Sequence, residues 1–443
     1  MIHDYKIHLN KCLISPRQSL FASMLCSNYE NELEYQNKRH YSFLTFNDFL
    51  SNFDTVYYID HACISNFIQI LVQCGVQEIP KETLFDSFFL ISLINSITEI
   101  IPRKPRDREI SDYLWALSAV SSVGYYPLFG TQDFIYILLF ICYNHKNFYT
   151  TILHTIACLN HLRNYPECFE ILVNSLPDFI NWSKQFENSQ ARVKCFELIV
   201  HLSVGQDDSI LLAISKLLTF FALNSKIMND VEGSLIAIDQ FLDIKTPTDE
   251  FMESHLSALE QAGFLRNITN ALFQTSNSSL GKILNIIEKI STSKFNRCLI
   301  DQKLVNGLYR IMCEGKDEWL SKCFNILITL IKVDKNIFMF LKNTKIFDML
   351  PNYLNNSSFF VKNSASCFVA EMVCLCDADT IFRLVEVGIM DFLFENEEMS
   401  GFANVNQMVA ALKVCIDTCT DTFYKSHFEE LLQTALSVSN TCL

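Results

Sequence analysis

Glycine and proline are scarce: the chain has 11 and 9 of them among 443 residues, about a third to half of ordinary usage. Few tight turns and few glycine-supported loops are therefore available, which favours an all-helical chain. Catalytic signatures are missing as well. No GxxxxGK[ST] phosphate loop, GxGxxG turn, HExxH helix or GxSxG elbow occurs, so the common phosphate-binding, dinucleotide, zinc-hydrolase and serine-hydrolase chemistries lack their residues. No basic stripe exists either. The densest cationic clusters are Lys38-Arg39 and Arg103-Lys104-Pro105-Arg106, and the net charge is −14. A nucleic-acid backbone would meet repulsion, and no nucleic-acid partner is expected.

Long apolar runs are lacking too. The longest, Phe134 to Tyr143, stops at ten residues, whereas a spanning helix needs about 20. Ser209 to Leu223 is longer but carries Lys216. Both read as buried helices, with no membrane insertion. The segment MIHDYKIHLNKCLISP lacks the basic-then-apolar order of a secretory leader, and Cys442 is misplaced for prenylation, since Asn440 holds the position four from the end. The 17 cysteines are then expected to be reduced in a cytoplasmic or nuclear setting, packed as small apolar residues or left as surface thiols. Cys374-x-Cys376 and Cys415-x3-Cys419 do not have zinc spacing. No metal and no cofactor is expected.

What is present is hydrophobicity in period. Half the residues are hydrophobic, enough for a large core. Residues 1–60 read as an amino-terminal arm and cap, partly irregular, ending in the phenylalanine-rich SFLTFNDFLSNF. From about residue 61 to 443 a helical period takes over, broken at Pro102 to Pro105 and at Ile244 to Asp249.

Two independent alignments expose a repeat. Turn positions 263, 303, 345 and 388 lie 40, 42 and 43 residues apart. Four positions before them stand Leu259, Leu299, Leu341 and Leu384; five after stand Ile268, Leu308, Leu350 and Leu393. The second alignment uses apolar residues at offsets 0, 3, 4 and 7, one stripe of a helix. It occurs in full from Tyr113, Cys195, Ile283, Cys323, Ala365 and Met408, and in weaker form from Ile152 and Ser234. Successive starts are separated by 39, 43, 39, 49, 40, 42 and 43 residues, with the long step at the Pro247 loop. Pro351 falls inside an expected helix, which should be kinked or very short.

A period of 40 to 43 with two or three helices is the size class of armadillo and HEAT repeats. Tyr113-Leu-Trp-Ala-Leu-Ser-Ala-Val resembles the third-helix signature of armadillo repeats, and Leu384-Val-Glu-Val-Gly-Ile-Met-Asp-Phe-Leu resembles the turn into their second helix. The resemblance implies an all-α, right-handed α-α superhelix, an armadillo-type solenoid of about eight to ten repeats over 61–443. Generic HEAT-like stacking is the alternative. Each repeat has an apolar stripe it cannot bury alone, so neighbours bury it jointly.

Offsets 2 and 6 point away from that stripe, and in armadillo proteins those positions line the groove. The candidate ladder is Trp115, His154, Glu197, His201, Gln240, Asn285, Lys289, Asn325, Thr329 and Glu371. Asn, Gln and His side chains can bond the backbone of an extended peptide; equally, these can be solvated helix positions with no ligand. The resemblance implies a non-enzymatic protein-binding scaffold or adaptor, holding a protein or extended peptide, for which the acidic net charge favours basic character. The alternative is an importin-alpha-like nuclear import cargo receptor. That branch carries Trp at offset 2 and Asn at offset 6 repeatedly. This chain has Trp115 alone at offset 2, no Asn at offset 6 and no Lys/Arg-rich leader segment. Glu197 and His201 stand one turn apart, half of a metal site without a second ligand pair.

Overall fold

In a computed structural model the described residues are predominantly helical, with no strand among them. The structure describes residues 45–441 except 54–57, 104, 125–128, 130, 244–249, 275–276, 343, 374, 376–379, 381–382, 385–386 and 390–404. Residues 1–44 of the amino-terminal arm, the Pro247 loop and Leu393 therefore lie outside the described residues. The chain divides into two compact units, Met1–Ala237 and Ile238–Leu443, with the boundary inside one helix.

The first unit begins with α1 (Phe46–Leu50), α2 (His61–Cys74), α3 (Lys81–Asp86) and α4 (Phe89–Ile100). Phe46, Phe49 and Phe53 bury their rings against Phe67 of α2 and Phe89 of α4, at centroid distances of 4.9–5.7 Å. Next come α5 (Asp107–Val123), α6 (Gln132–Asn144), α7 (Tyr149–Leu162), α8 (Pro166–Asn174), α9 (Leu176–Ser183), α10 (Ser189–Leu202), α11 (Asp208–Asn224) and α12 (Met228–Asp243), which crosses the boundary. The second unit continues with α13 (Glu250–Gln261), α14 (Phe264–Gln274), α15 (Asn277–Ser291), α16 (Gln302–Glu314), α17 (Asp317–Val333), α18 (Asn336–Lys342), α19 (Ile346–Leu354), α20 (Phe359–Val373), α21 (Val405–Thr418) and α22 (Thr422–Thr441).

Helix starts follow side-chain capping. Asp60, Asn188 and Asp207 each accept from backbone N–H groups in the first turn, at 2.7–3.2 Å, supplying partners the helix itself cannot. α16 ends at Gly315, whose φ of +70° is the left-handed conformation that closes a helix. Gly263 has φ +81° between α13 and α14, and Gly388 φ +71°, so both glycine turns of the repeat adopt a backbone that side-chain-bearing residues disfavour. Pro351 sits inside α19, which is short at nine residues, as expected for a ring that removes one backbone donor.

All eight stripe starts fall in long helices, namely α5, α7, α10, α12, α15, α17, α20 and α21. Every stripe position whose side chain is described is at most 2% exposed, from Tyr113 to Cys415. The leucines 259, 299, 341 and 384, with Ile268, Leu308 and Leu350, are fully buried. Consecutive long helices pack in order, α5 on α7 on α10 in the first unit and α15 on α17 on α20 on α21 in the second. Hydrogen bonds report the same period. Asn188 Nδ2 donates to the Tyr149 carbonyl (2.6 Å), Tyr353 Oη to the Met312 carbonyl (2.9 Å), and Asn356 Nδ2 to Asp317 (3.0 Å), across 39, 41 and 39 residues. The architecture is all-helical and repeat-like, and no helix among the described residues is long and apolar enough to cross a membrane.

Twelve cysteines are described, none of them in a disulfide, and eight are buried. Burial pushes the Cys158 thiol up to about 12 and that of Cys168 up to about 11, as for inert core thiols.

Candidate functional site: the open faces of the long helices

With each stripe buried, the opposite side of each long helix holds the ladder, and most of its side chains are half-buried or exposed. Two positions differ from the outward orientation expected for offset 6. Ala119 is 6% exposed and Cys158 fully buried. α5 and α7 pack closely here, and a thiol hydrogen bond links Cys158 to Ser121 of α5, so short side chains fill the seam between the helices.

In the first unit, Trp115 (α5) stacks on His154 (α7), ring centroids 5.9 Å apart and 18° from parallel. Burial holds His154 below the ordinary imidazole range, with Asp112 and Asp107 opposing the shift. Asp112 also pairs with His61 Nε2 at 3.0 Å. On α10, Lys194 engages Glu197 at 2.9 Å, and His201 stands edge-on to Phe169 with centroids 6.2 Å apart. Glu197 and His201 thus have separate partners. Among the described residues no group of three or more His, Cys, Asp or Glu could hold a metal ion.

In the second unit the ladder is a set of lateral ion pairs. Lys289 (α15) reaches Asp239 Oδ1 (2.6 Å) and Asp243 Oδ1 (2.7 Å) of α12. Asp239 is 5% exposed and also faces Lys282 at 3.6 Å and the Asn285 amide at 3.4 Å. Asn285 Oδ1 in turn accepts from Lys322 of α17. Asn325 Nδ2 donates to Glu288 at 3.5 Å, and Thr329 Oγ1 to the Asn325 carbonyl at 2.9 Å. Lys332 pairs with Glu371 of α20 at 2.8 Å. Gln240 is exposed. Asn285, Lys289, Asn325 and Glu371 thus each contact a neighbouring repeat, while Thr329 bonds within its own helix.

The partners Asp239, Lys282, Lys322 and Lys332 lie at other offsets and were not picked out by the ladder. Opposite charges one repeat apart, such as Lys332 and Glu371, are the sequence signal that would have found them. A cationic group on α7 and α10 was likewise missed: Arg163 with His161 and Lys194.

No family model matches the chain, and no curated protein matches it. Solved structures do. An engineered protein whose crystal structure was determined by the Northeast Structural Genomics Consortium aligns with a TM-score of 0.53 at 12% identity, over 84% of this chain and 93% of its own. A second engineered protein from the same consortium aligns over 60% of this chain and 98% of its own, with a TM-score of 0.41 and 13% identity. The first likeness is one of helical fold.

Proposed function

We propose that the chain is a non-enzymatic protein-binding scaffold or adaptor of armadillo type. Within each unit the repeats wind as a right-handed α-α superhelix, and the open faces of the long helices hold an extended protein segment. The observation that supports this reading is the division of labour on each long helix. Its described stripe positions are sealed at 2% exposure or less, while from α7 to α20 the opposite face carries a polar side chain in each repeat, half-buried or exposed. A spaced row of Asn, Gln, His, Lys and Glu groups suits backbone amides of an extended chain, whose own donors and acceptors recur at fixed rise. The place of work is the cytoplasm or nucleus.

The test is cross-linking mass spectrometry on the full chain in native lysate, with wild type beside the variant carrying Glu197→Ala, His201→Ala, Asn285→Ala and Asn325→Ala. Cross-links from partners to the open faces should be present in the wild type and lost in the variant. The same partners captured equally by both would remove the open faces from the mechanism. Cargo reception of the importin-alpha kind predicts binding of basic nuclear-targeting peptides at low salt, and failure to bind them sinks that alternative.

A further inference from the structure

The charges of the second unit's ladder neutralise one another, but one cation of the first unit stands apart. Arg163 caps the end of α7, its backbone N–H donating to the Leu159 carbonyl at 3.0 Å. Its half-buried guanidinium donates from Nη1 to Asn160 Oδ1, while Nε is sealed from solvent and donates to nothing. Glu197 acts on it only at a distance and is held by Lys194 at 2.9 Å. On these faces Lys194, Lys289 and Lys332 each have a carboxylate within 3 Å.

The surroundings of Arg163 are protonatable groups. His161 stands on the same turn, and His201 on the last turn of α10. Asn160 Nδ2 donates to the Lys194 carbonyl at 2.7 Å, which locks α7 to α10 beneath the cluster. Phe169 of α8 walls one side against His201. Burial lowers both imidazoles, with Arg163 adding to each and Lys194 adding to His161. Burial also lowers Arg163 itself. The carbonyl ends of α7 and α10 offset part of this charge, about half an elementary charge per helix terminus. A desolvated guanidinium beside two imidazoles is still left short of an anion.

We propose that Arg163, His161 and His201 form an oxyanion-docking subsite, which takes a carboxylate or phosphate group carried on a protein segment held along the open face of the first unit. The inference rests on the peptide-holding reading above and fixes the chemistry of one contact within it. The overall acidity of the chain does not set the sign at this place. Binding takes up protons, because the bound anion raises the two imidazoles, so affinity increases as pH falls from 7.5 to 6. The groups that act on them are Arg163 and Lys194, with Glu197 acting through Arg163.

Two measurements on the full chain separate this inference from the reading beneath it. The first follows the His161 and His201 imidazole resonances by NMR during titration with inorganic phosphate and with acetate. Both should shift to higher pKa in the wild type, and not in Arg163→Met. The second probes an array of extended peptides bearing Glu, phosphoserine or Gln at each position. Acidic peptides should lose about 10- to 100-fold in affinity on Arg163→Met, keep most of it in Arg163→Lys, and leave Gln peptides unchanged. A matching thermal melt confirms that the variants are folded; if Arg163→Met does not fold, His161→Asn with His201→Asn replaces it and should abolish the pH dependence. Anion-induced shifts without any peptide binding would keep the subsite and overturn the peptide-holding reading. Peptide binding indifferent to acidity and to Arg163 would overturn the subsite alone. The relative response to phosphate and acetate, and to phosphoserine and Glu, decides which oxyanion is the ligand.

Discussion

Two glycines show how unequal helix surfaces are at single-residue resolution. A Cβ on Gly233 of α12 would lie 2.3 Å from Val193 Cγ2 and 3.0 Å from Val193 Cβ, so α12 and α10 approach there because a side chain is missing. A Cβ on Gly281 of α15 would meet nothing nearer than 3.8 Å, at Trp319. Both positions are helical, so each gains about 0.5–1 kcal/mol of helix propensity on replacement by alanine. At Gly281 that gain stands alone, and Gly281→Ala should stabilise by that amount. At Gly233, overpacking of typically about 1–3 kcal/mol opposes it, so Gly233→Ala should destabilise by about 1–2 kcal/mol. Urea denaturation of the two variants checks both signs.

At the scale of elements, the joints between repeats hold the information that the sequence does not display. Asp107 opens α5, yet its carboxylate accepts from the Thr150 N–H (3.2 Å), the Thr151 N–H (3.0 Å) and both threonine hydroxyls (3.0 and 2.6 Å) at the start of α7. One carboxylate thus caps a helix 43 residues downstream. Burial alone would push Asp107 up; the hydrogen bonds from Thr151 and Thr150 outweigh it and hold the carboxyl below the usual range. The folded pKa is depressed, so this stabilisation is fully present above the unfolded value of about 3.9 and is lost as pH falls through the folded value. The stability difference between wild type and Asp107→Asn should be flat from pH 7 to about 5 and shrink below about 4.

The same contrast explains what was legible. Tyr113, Ile283 and Cys323 announce the buried stripe because burial and helical period are local properties, visible within eight residues. Asp107 with Thr151, Arg192 with Asp230 (2.9 Å) and Lys332 with Glu371 depend on register between helices 38 to 44 residues apart. No local window contains both partners. Ala119 and Cys158 were misplaced for a related reason: an offset gives a direction around one helix, while the neighbour that covers it belongs to another repeat.

At the scale of the whole molecule, the two units differ in how they should respond to acid. His145, His154, His161 and His201 are held below their ordinary range, and these four lie in the first unit. Burial is the leading cause in each. Asp107 opposes it at His145, Asp112 and Asp107 oppose it at His154, and Arg163 reinforces it at His161 and His201. A histidine whose folded pKa is depressed favours the folded state while neutral. Its stabilisation is fully present above the unfolded value of about 6.5 and is lost as pH falls through the folded values. The second unit's lateral ladder is built instead from carboxylate–lysine pairs, Asp239 with Lys289 and Glu371 with Lys332. In a stacked array, destabilisation stays near its origin, since each repeat is held mainly by its immediate neighbours. Lowering the pH from 7 to 5 should therefore deprotect α7 and α10 in hydrogen exchange, after correction for intrinsic rates, while α15, α17 and α20 keep their protection. Replacing His154 and His145 by Gln, which carries no titrating charge, should shrink that acid response. Uniform deprotection of both units, or a response unaltered by the double replacement, would show that the histidines do not set the acid sensitivity and that the array opens as one cooperative body.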